Sequence, residues 1–534
     1  MTHVLAYVTG RDPFRRPVVA AVRSCDCSRL ARVGTLSVAV VVLVVAAVIV
    51  AVAAVVVVVL VARSRHGDIH TGRLSRGMKL FTMSAKSARA HAAARAKAAF
   101  ASEERKRQLA EEAHVKSSAE IVETLGNMKG VMMKFAQILS FAADGLPEEL
   151  KTQLQTLQNQ APPMDFALVR EVLREELGAE PEELFATFER EPTAAASIGQ
   201  VHRGTLDDGT VVAVKVQYPG VAKAIRSDLD NAAMLTAVGK MIMPGRDMAP
   251  FIEELRERVV EEIDYRIEAA NQQAFVDLYR DHPFVVIPGV HHDLSTSRVL
   301  TMEWIDGFGF REALELPVED RRDLAEKIWR FVFDSLNRAY MFNGDPHPGN
   351  YLFLEDGRVA FLDYGCVKYF DAGHIERLRR FLEVLRDGTP EEFMDVLEED
   401  GFLTRGGRRK VPVDELYPYF KDMWAPTAVD ADFEFTQEWV SATTMNPMDQ
   451  LGPMRYLQPP PGQLFLMRIN IGLHAIFAKL GAKMNVYRLS REHVDGDPPS
   501  TPLGREVEAW RLRRGLGDVY PTTRAAVGVT DAPR

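Results

Sequence analysis

Asn343-Gly344-Asp345-Pro346-His347-Pro348-Gly349-Asn350, followed by Phe361-Leu362-Asp363-Tyr364-Gly365, decides the fold. The order is Asp, four residues, Asn, then a second Asp before an aromatic residue and a glycine. Tyr351–Leu354 and Arg358–Leu362 read as strands, and Glu355-Asp356-Gly357 is the turn that joins them. Two short strands joined in this way hold Asn350 and Asp363 side by side, as joint binding of one cation requires. Taken alone, an Asp and an Asn at this spacing read as an ordinary Asp/Gly-rich surface turn. The hairpin and the second Asp argue for the metal site.

Upstream, Thr193–His202 leads into Thr205-Leu206-Asp207-Asp208-Gly209-Thr210 and the alternating strand Val211–Val216. Protein kinases place a G-x-G-x-x-G-x-V phosphate loop before a Val-Ala-x-Lys strand. Here Ala194 and Ala196 stand at the first two glycines, while Gly199 and Val201 keep the last two fixed places. The loop residues expected over the phosphates are Ala194, Ala195, Ala196, Ser197, Ile198, Gly199 and Val201. Lys215 ends the strand, placed to reach the α- and β-phosphates of ATP or ADP. In the same order Asp345 positions or deprotonates the acceptor, and Asn350 and Asp363 hold Mg²⁺. A Cβ narrows backbone freedom, so the alanine loop is expected to be stiffer and to pose the γ-phosphate differently.

The chemistry needs a helical glutamate to pair with Lys215. The acidic helix Glu261–Asn271 offers Glu262 and Glu268, six positions apart and hence on different faces. One can pair with Lys215, leaving the other for a different cation, for which Lys134 is the available lysine. Arg298–Gly307 reads as a buried strand leading to a hinge, where the backbone of Glu303 and Ile305 would meet adenine; Trp304 reads as packing.

At 534 residues the chain is too long for one compact core. A net charge of −9 gives no general basic surface, so nucleic acid is not expected as a partner. Three cysteines make no disulfide framework. From Val33 to Ala62 there is no charged residue, and the run is almost all Val, Ala, Leu and Ile. A bilayer core needs ~20 apolar residues, so one transmembrane helix is predicted there. A misassigned start, with translation beginning near Met78 or Met83, is the rival explanation. Residues 1–32 carry six Lys and Arg and residues 63–107 carry twelve, which puts the long carboxyl side in the cytoplasm. The prediction is therefore a single-pass protein of the cell membrane with its kinase-like part cytoplasmic.

Residues 84–125, rich in Ala, Lys, Arg and Glu without Pro, read as a long basic helix. Met128–Leu139 has helical apolar spacing, with Lys134 and Gln137 on one face. Asp165 caps a helix through about Leu177, and Pro181 begins another. Residues 374–400 and 462–486 read as helices, and from about Asp495 the polar, Pro- and Arg-containing chain reads as disordered.

Together these motifs resemble the UbiB/AarF/ADCK family of atypical, protein-kinase-like proteins. The residues that carry the resemblance are Lys134-Phe135-Ala136-Gln137, Ala194–Val201, Val212-Ala213-Val214-Lys215, Glu262-Ile263-Asp264, Gly344–Asn350 and Asp363-Tyr364-Gly365. It covers roughly residues 120–385 firmly and extends to about 485 loosely. The resemblance implies that Lys134 and Gln137, with Glu262 and Asp264, cover the cleft where ordinary kinases admit a peptide. It implies that Glu268 pairs with the strand lysine. It ties the alanine loop to suppressed protein phosphorylation. It also implies Mg–ATP binding and ATPase or small-molecule kinase activity in ubiquinone or related prenyl-lipid metabolism. The implied partners are membrane lipid, prenyl quinones or their precursors, and quinone-biosynthesis enzymes; a homodimer is left open. Ala136 stands where the family has Gly, Asn343 where a His is common, and the apolar span is amino-terminal rather than carboxyl-terminal.

The expected fold class is α+β, a bilobal protein-kinase-like fold with a helical N-terminal extension and one N-terminal transmembrane helix. Its parts are residues 1–32 as a flank, 33–62 as the span, 63–125 as a basic helical linker and 126–190 as the helical extension. Residues 191–307 form the N-lobe, 308–490 the C-lobe with family-specific helices, and 491–534 a disordered tail. Two other functions stay open: a nucleotide-gated scaffold for lipid enzymes, and an ordinary protein kinase.

Overall fold

A computed structural model describes residues 164–196, 198–229, 249–403, 411–443, 457, 460 and 463–520. The apolar run at 33–62, the basic linker, the Lys134/Gln137 segment and Ser197 lie outside the described residues. Among the described residues no helix is long and apolar enough to cross a membrane.

Helix α1 (Phe166–Leu177) starts where Asp165 accepts the Ala167 N–H and stops at Gly178, whose φ is +79°. Its buried residues Val169, Val172 and Leu173 recur at helical spacing. They pack on Val212, Val214, Val216 and Val299, the inner face of a five-stranded sheet. That sheet runs β1 (Thr187–Phe188), β3 (Gly199–Thr205), β4 (Val211–Gln217), β6 (Val299–Glu303), all antiparallel, with β2 (Ala194–Ala195) on β3. Alternation along β4 puts its valines under α1 and turns Lys215 to the opposite face. Because β1 pairs with β3, the sheet starts before residue 191, inside the expected helical extension.

The acidic stretch at 261–271 is two helices rather than one. Helix α2 (Ala249–Glu262) ends, and α3 (Tyr265–Leu278) begins with Asp264 as N-cap, its side chain accepting the Arg266 N–H. Glu262 and Glu268 therefore lie on separate helices. After α3 the chain enters the C-lobe: β5 (Val285–Val286) pairs in parallel with β9 (Val359–Phe361), and Phe275, Leu278, Phe284 and Val285 join the C-lobe core. The long helix α4 (Val318–Ala339) is the axis of that core, and its Phe331 ring stacks on Phe361 at 3.7 Å.

One wide antiparallel pair and the hairpin it encloses set the functional loops. In β7 (Met341–Asn343) and β10 (Val367–Tyr369), Asn343 stands opposite Val367. In β8 (Tyr351–Phe353) and β9, Tyr351 stands opposite Phe361. Helices α5 (Ala372–Asp387) and α6 (Pro390–Glu399) follow, with Thr389 and Glu392 forming a reciprocal capping box at the start of α6. Helix α7 (Gln463–Leu480) docks on α4 through Leu466, Ile469, Leu473, Ile476 and Phe477.

The tail departs from its expected disorder. Helix α8 (Val486–Val494) is followed by α9 (Pro502–Arg514), capped by Thr501, with Val507 and Trp510 buried and Tyr520 buried beyond it. Its polar composition reads as unfolded, but those three residues anchor it in the C-lobe core. Residues 521–534 lie outside the described residues.

Candidate active site

Lys215 projects from β4 into the space between the lobes and is nearly buried. Its Nζ donates to both carboxylate oxygens of Glu268 on α3, at 2.8 and 3.0 Å. The same ammonium lies 3.6 Å from Oδ2 of Asp363, and 5.2 Å from the ring centre of Tyr265. Burial alone would push Lys215 down; the Asp363 and Glu268 carboxylates outweigh it and hold the ammonium well above the usual lysine range. Burial pushes the Glu268 carboxyl up, to about 7, against the pull of Lys215, and Asp363 adds to the push. Two carboxylates thus share one cation, and the cluster retains an excess of negative charge.

Asp363 is braced from its own backbone. Its Oδ1 accepts the Gly365 N–H at 2.9 Å, and its carbonyl accepts the Asn343 amide at 2.9 Å. Asn350 ends a short 3₁₀ turn that follows Asp345. Its Nδ2 donates to the Asp345 carbonyl at 3.0 Å and to the Asp345 carboxylate at 3.1 Å. The Asn350 carbonyl accepts the Leu362 N–H at 3.0 Å, which ties this loop to the segment after β9 that carries Asp363. Gly344 N–H donates to the Cys366 carbonyl at 2.7 Å, extending the β7–β10 pair around the same point. Lys215, Glu268, Asp345, Asn350 and Asp363 therefore lie along one connected set of contacts at the lobe interface.

The loop above is a tight hairpin. Ala194 stands opposite Val201 and Ala195 opposite Gln200, and Ala196 N–H donates to the Gly199 carbonyl at 2.9 Å. Gly199 has a packing reason: a Cβ there would come 2.2 Å from the Val216 carbonyl oxygen. Ile198 is buried, and its carbonyl accepts the Tyr218 N–H at 2.9 Å, so the hairpin is pinned to the end of β4. At the hinge, Glu303 already donates its N–H to the Gly289 carbonyl at 2.8 Å, and its carboxylate accepts the Gly289 N–H at 2.9 Å. Trp304 donates its indole N–H to Asp306 at 2.9 Å and carries the Arg203 guanidinium on its ring, a packing role.

Asp264 caps α3 and pairs with Arg266, so its side chain is engaged locally. Glu262 is half-buried and close enough to raise the Glu268 and Tyr265 pKa values. Lys134 and Gln137, the expected cleft cover, lie outside the described residues.

Two further residues act on the site that sequence reasoning did not single out. Asn271, one turn beyond Glu268, donates to the Tyr364 carbonyl at 3.0 Å and accepts the Tyr369 hydroxyl at 3.0 Å. Asn343, read from sequence only as a replacement, bridges the Asp345 loop to Asp363. Gly472 on α7 is a third point of support: a Cβ there would meet Pro346 Cγ at 2.9 Å, so this helix abuts the Asp345 loop. A polar residue one helical turn from Glu268 was the available signal for Asn271; nothing local pointed to Gly472.

With this geometry in view, comparisons give the family. The profile of the ABC1 atypical kinase-like domain matches residues 156–394. The chain is similar to the atypical kinase COQ8B, mitochondrial, of Rattus norvegicus, 30% identical over 65% of this chain and 66% of that one. It is 30% identical to the atypical kinase COQ8, mitochondrial, of Saccharomyces cerevisiae, over 70% of this chain and 75% of that one. Other relatives are covered less: the chain spans 35% of the ACTIVITY OF BC1 COMPLEX KINASE 8 protein of Arabidopsis thaliana. Among solved structures, Rv3197 of Mycobacterium tuberculosis in complex with erythromycin aligns with TM-score 0.53 and 33% identity, covering 73% of this chain and 98% of that one. The bilobal α+β architecture and these matches agree, and the chain belongs to the ABC1 family of atypical kinase-like proteins, with the COQ8 atypical kinases among its relatives.

Proposed function

We propose that the chain is a membrane-tethered atypical kinase or ATPase that binds Mg–ATP and supports prenyl-quinone or other isoprenoid-lipid metabolism. What supports this most is Lys215, shared between Glu268 at 2.8 Å and Asp363 at 3.6 Å, with Asn350 braced on Asp345 beside them. The donor set fits Mg²⁺. Asp363 and Asn350 offer hard oxygens, the Asn350 N–H groups face Asp345 so its amide oxygen is left, and the excess negative charge calls for a cation. When bound, Mg²⁺ supplies neutralisation of the charge on the β- and γ-phosphates.

The remaining work belongs to the chain's own residues. Lys215 orients the α- and β-phosphates, and Glu268 holds Lys215. The hairpin Ala194–Val201 covers the phosphates, and the Glu303 carbonyl with the Ile305 N–H receives adenine. Asp345, oriented by Asn350, positions the acceptor hydroxyl or water and takes its proton. Catalysis on this reading is placement and charge stabilisation. The apolar run at 33–62 supplies the tether, the names of the rat and yeast relatives support the atypical-kinase reading, and the link to quinone metabolism rests on the family resemblance. The test is lipid profiling of a deletion strain rescued by wild type or by Asp345→Asn, with phosphate release measured with and without lipid vesicles. Rescue by wild type alone supports the reading; equal rescue by both counts against chemistry at Asp345.

A further inference from the structure

Helix α3 carries Glu268 near its start and ends at Leu278, about ten residues and ~15 Å away. The last carbonyls of a helix have no partner within it and need one from elsewhere. Here the partner is the chain's own tail. Arg514 donates to the carbonyls of Arg280 at 2.7 Å, Asp277 at 3.1 Å and, more weakly, Leu278 at 3.5 Å. Trp510 donates its indole N–H to the Arg280 carbonyl at 2.9 Å. Its ring lies parallel to Tyr279, with centroids 6.1 Å apart, and meets His282 edge-on at 4.5 Å. A cation at a helix C-terminus also opposes the helix dipole favourably.

The other end of the tail is fixed to α4. Thr501 donates to Glu326 and accepts from Arg330 at 2.8 Å. Arg330 in turn holds Glu492 at 2.9 Å, and α9 sits so close that a Cβ on Gly504 would meet the Arg330 guanidinium at 2.6 Å. Past the helix, Tyr520 donates its hydroxyl to Asp334 at 3.0 Å and its N–H to the Arg338 carbonyl at 2.7 Å.

We infer that residues 495–520 form a strut between α4 and the end of α3, with Trp510 and Arg514 as positioning residues for Glu268. The strut fixes the pose of α3, and through it the distance between Glu268 and Lys215. The inference rests on reading Lys215–Glu268 as the nucleotide site, but its mechanical half does not.

The test uses the full chain in lipid vesicles. Hydrogen exchange is followed across Tyr265–Leu278 and, as a control, across β7 and β10, alongside titration with Mg–ATP. Arg514→Met and Trp510→Phe should each raise exchange in α3 about tenfold, leave β7 and β10 unchanged, and weaken Mg–ATP about tenfold. Arg514→Lys should recover part of both effects. Unchanged exchange in α3 overturns the strut whatever the nucleotide does. So does an equal rise in every element, which marks general loosening. A wild-type chain without affinity for Mg–ATP overturns the reading of the site instead, and the exchange data still decide the strut.

Discussion

Asn271 donates its side-chain amide to the carbonyl of Tyr364, at 3.0 Å, and so ties the helix of Glu268 to the loop of Asp363. The helix that orients Lys215 and the loop proposed to hold the metal are thereby one unit. Asn271→Leu would leave the Tyr364 carbonyl and the Tyr369 hydroxyl without this partner in a buried place. The expected loss is about 1–3 kcal/mol of stability, with weaker Mg–ATP binding as Asp363 loosens. Urea unfolding and nucleotide titration of the same preparation check both.

The Lys215–Glu268 pair should behave as a buried ion pair. Removing Lys215 strands the buried Glu268 carboxylate and is expected to cost about 3–5 kcal/mol, while removing both costs less than removing Lys215 alone; Glu268→Leu leaves the ammonium beside Asp363 and costs less than Lys215→Met. Lys215→Met with Glu268→Leu should therefore unfold closer to wild type than Lys215→Met does, yet bind no Mg–ATP. Denaturation midpoints of the three variants decide the first point and titration the second.

Tyr364 is fully buried, and its hydroxyl finds no hydrogen-bond partner among the described residues. Its ring packs on Phe275, with centroids 5.0 Å apart. Tyr364→Phe removes an unsatisfied group and keeps the ring, so it should raise stability by on the order of 1 kcal/mol without weakening nucleotide. Thermal unfolding monitored by fluorescence tests this.

Acid should weaken the C-lobe through His474. This side chain lines a cavity of about 40 Å³ beside Trp329, Trp424 and Phe477, which leaves it some accessible surface while enclosing it. Burial pushes its pKa from 6.5 down to about 4. The unfolded chain takes up a proton below pH 6.5 and the folded chain does not. This contribution is fully present above that pH and is lost as pH falls towards 4. At pH 4.5 the loss is about 2–3 kcal/mol relative to pH 7. His474→Gln should remove this part of the slope, seen as the wild-type minus variant difference in urea stability at the two pH values.

Much of the local structure was legible in the sequence. Asp165 capping α1, Pro181 opening the next helix and the Asp356-Gly357 turn are set by short-range chemistry, and they appear where that chemistry puts them. The spacing of Glu262 and Glu268 showed that only one could meet Lys215. It did not show the break at Asp264, although an Asp ahead of a helical run is an N-cap signal. Asn343 and Asn271 were missed because their partners, the Asp363 and Tyr364 carbonyls, are distant in sequence and carry no residue-type signature. The tail was misread for a related reason. Arg514, Trp510 and Tyr520 look like scattered residues in a polar run until α3 and α4 are in place to receive them.

The central claim is that Lys215 and Asp363 serve one Mg–ATP site. Calorimetric titration of Mg–ATP into the full-length wild type, Lys215→Met and Asp363→Asn tests it most directly. The account predicts saturable binding by wild type and a loss of roughly a hundredfold, about 2.7 kcal/mol, in each variant. Equal affinity in all three, or heat of binding that persists unchanged without Mg²⁺, would contradict it.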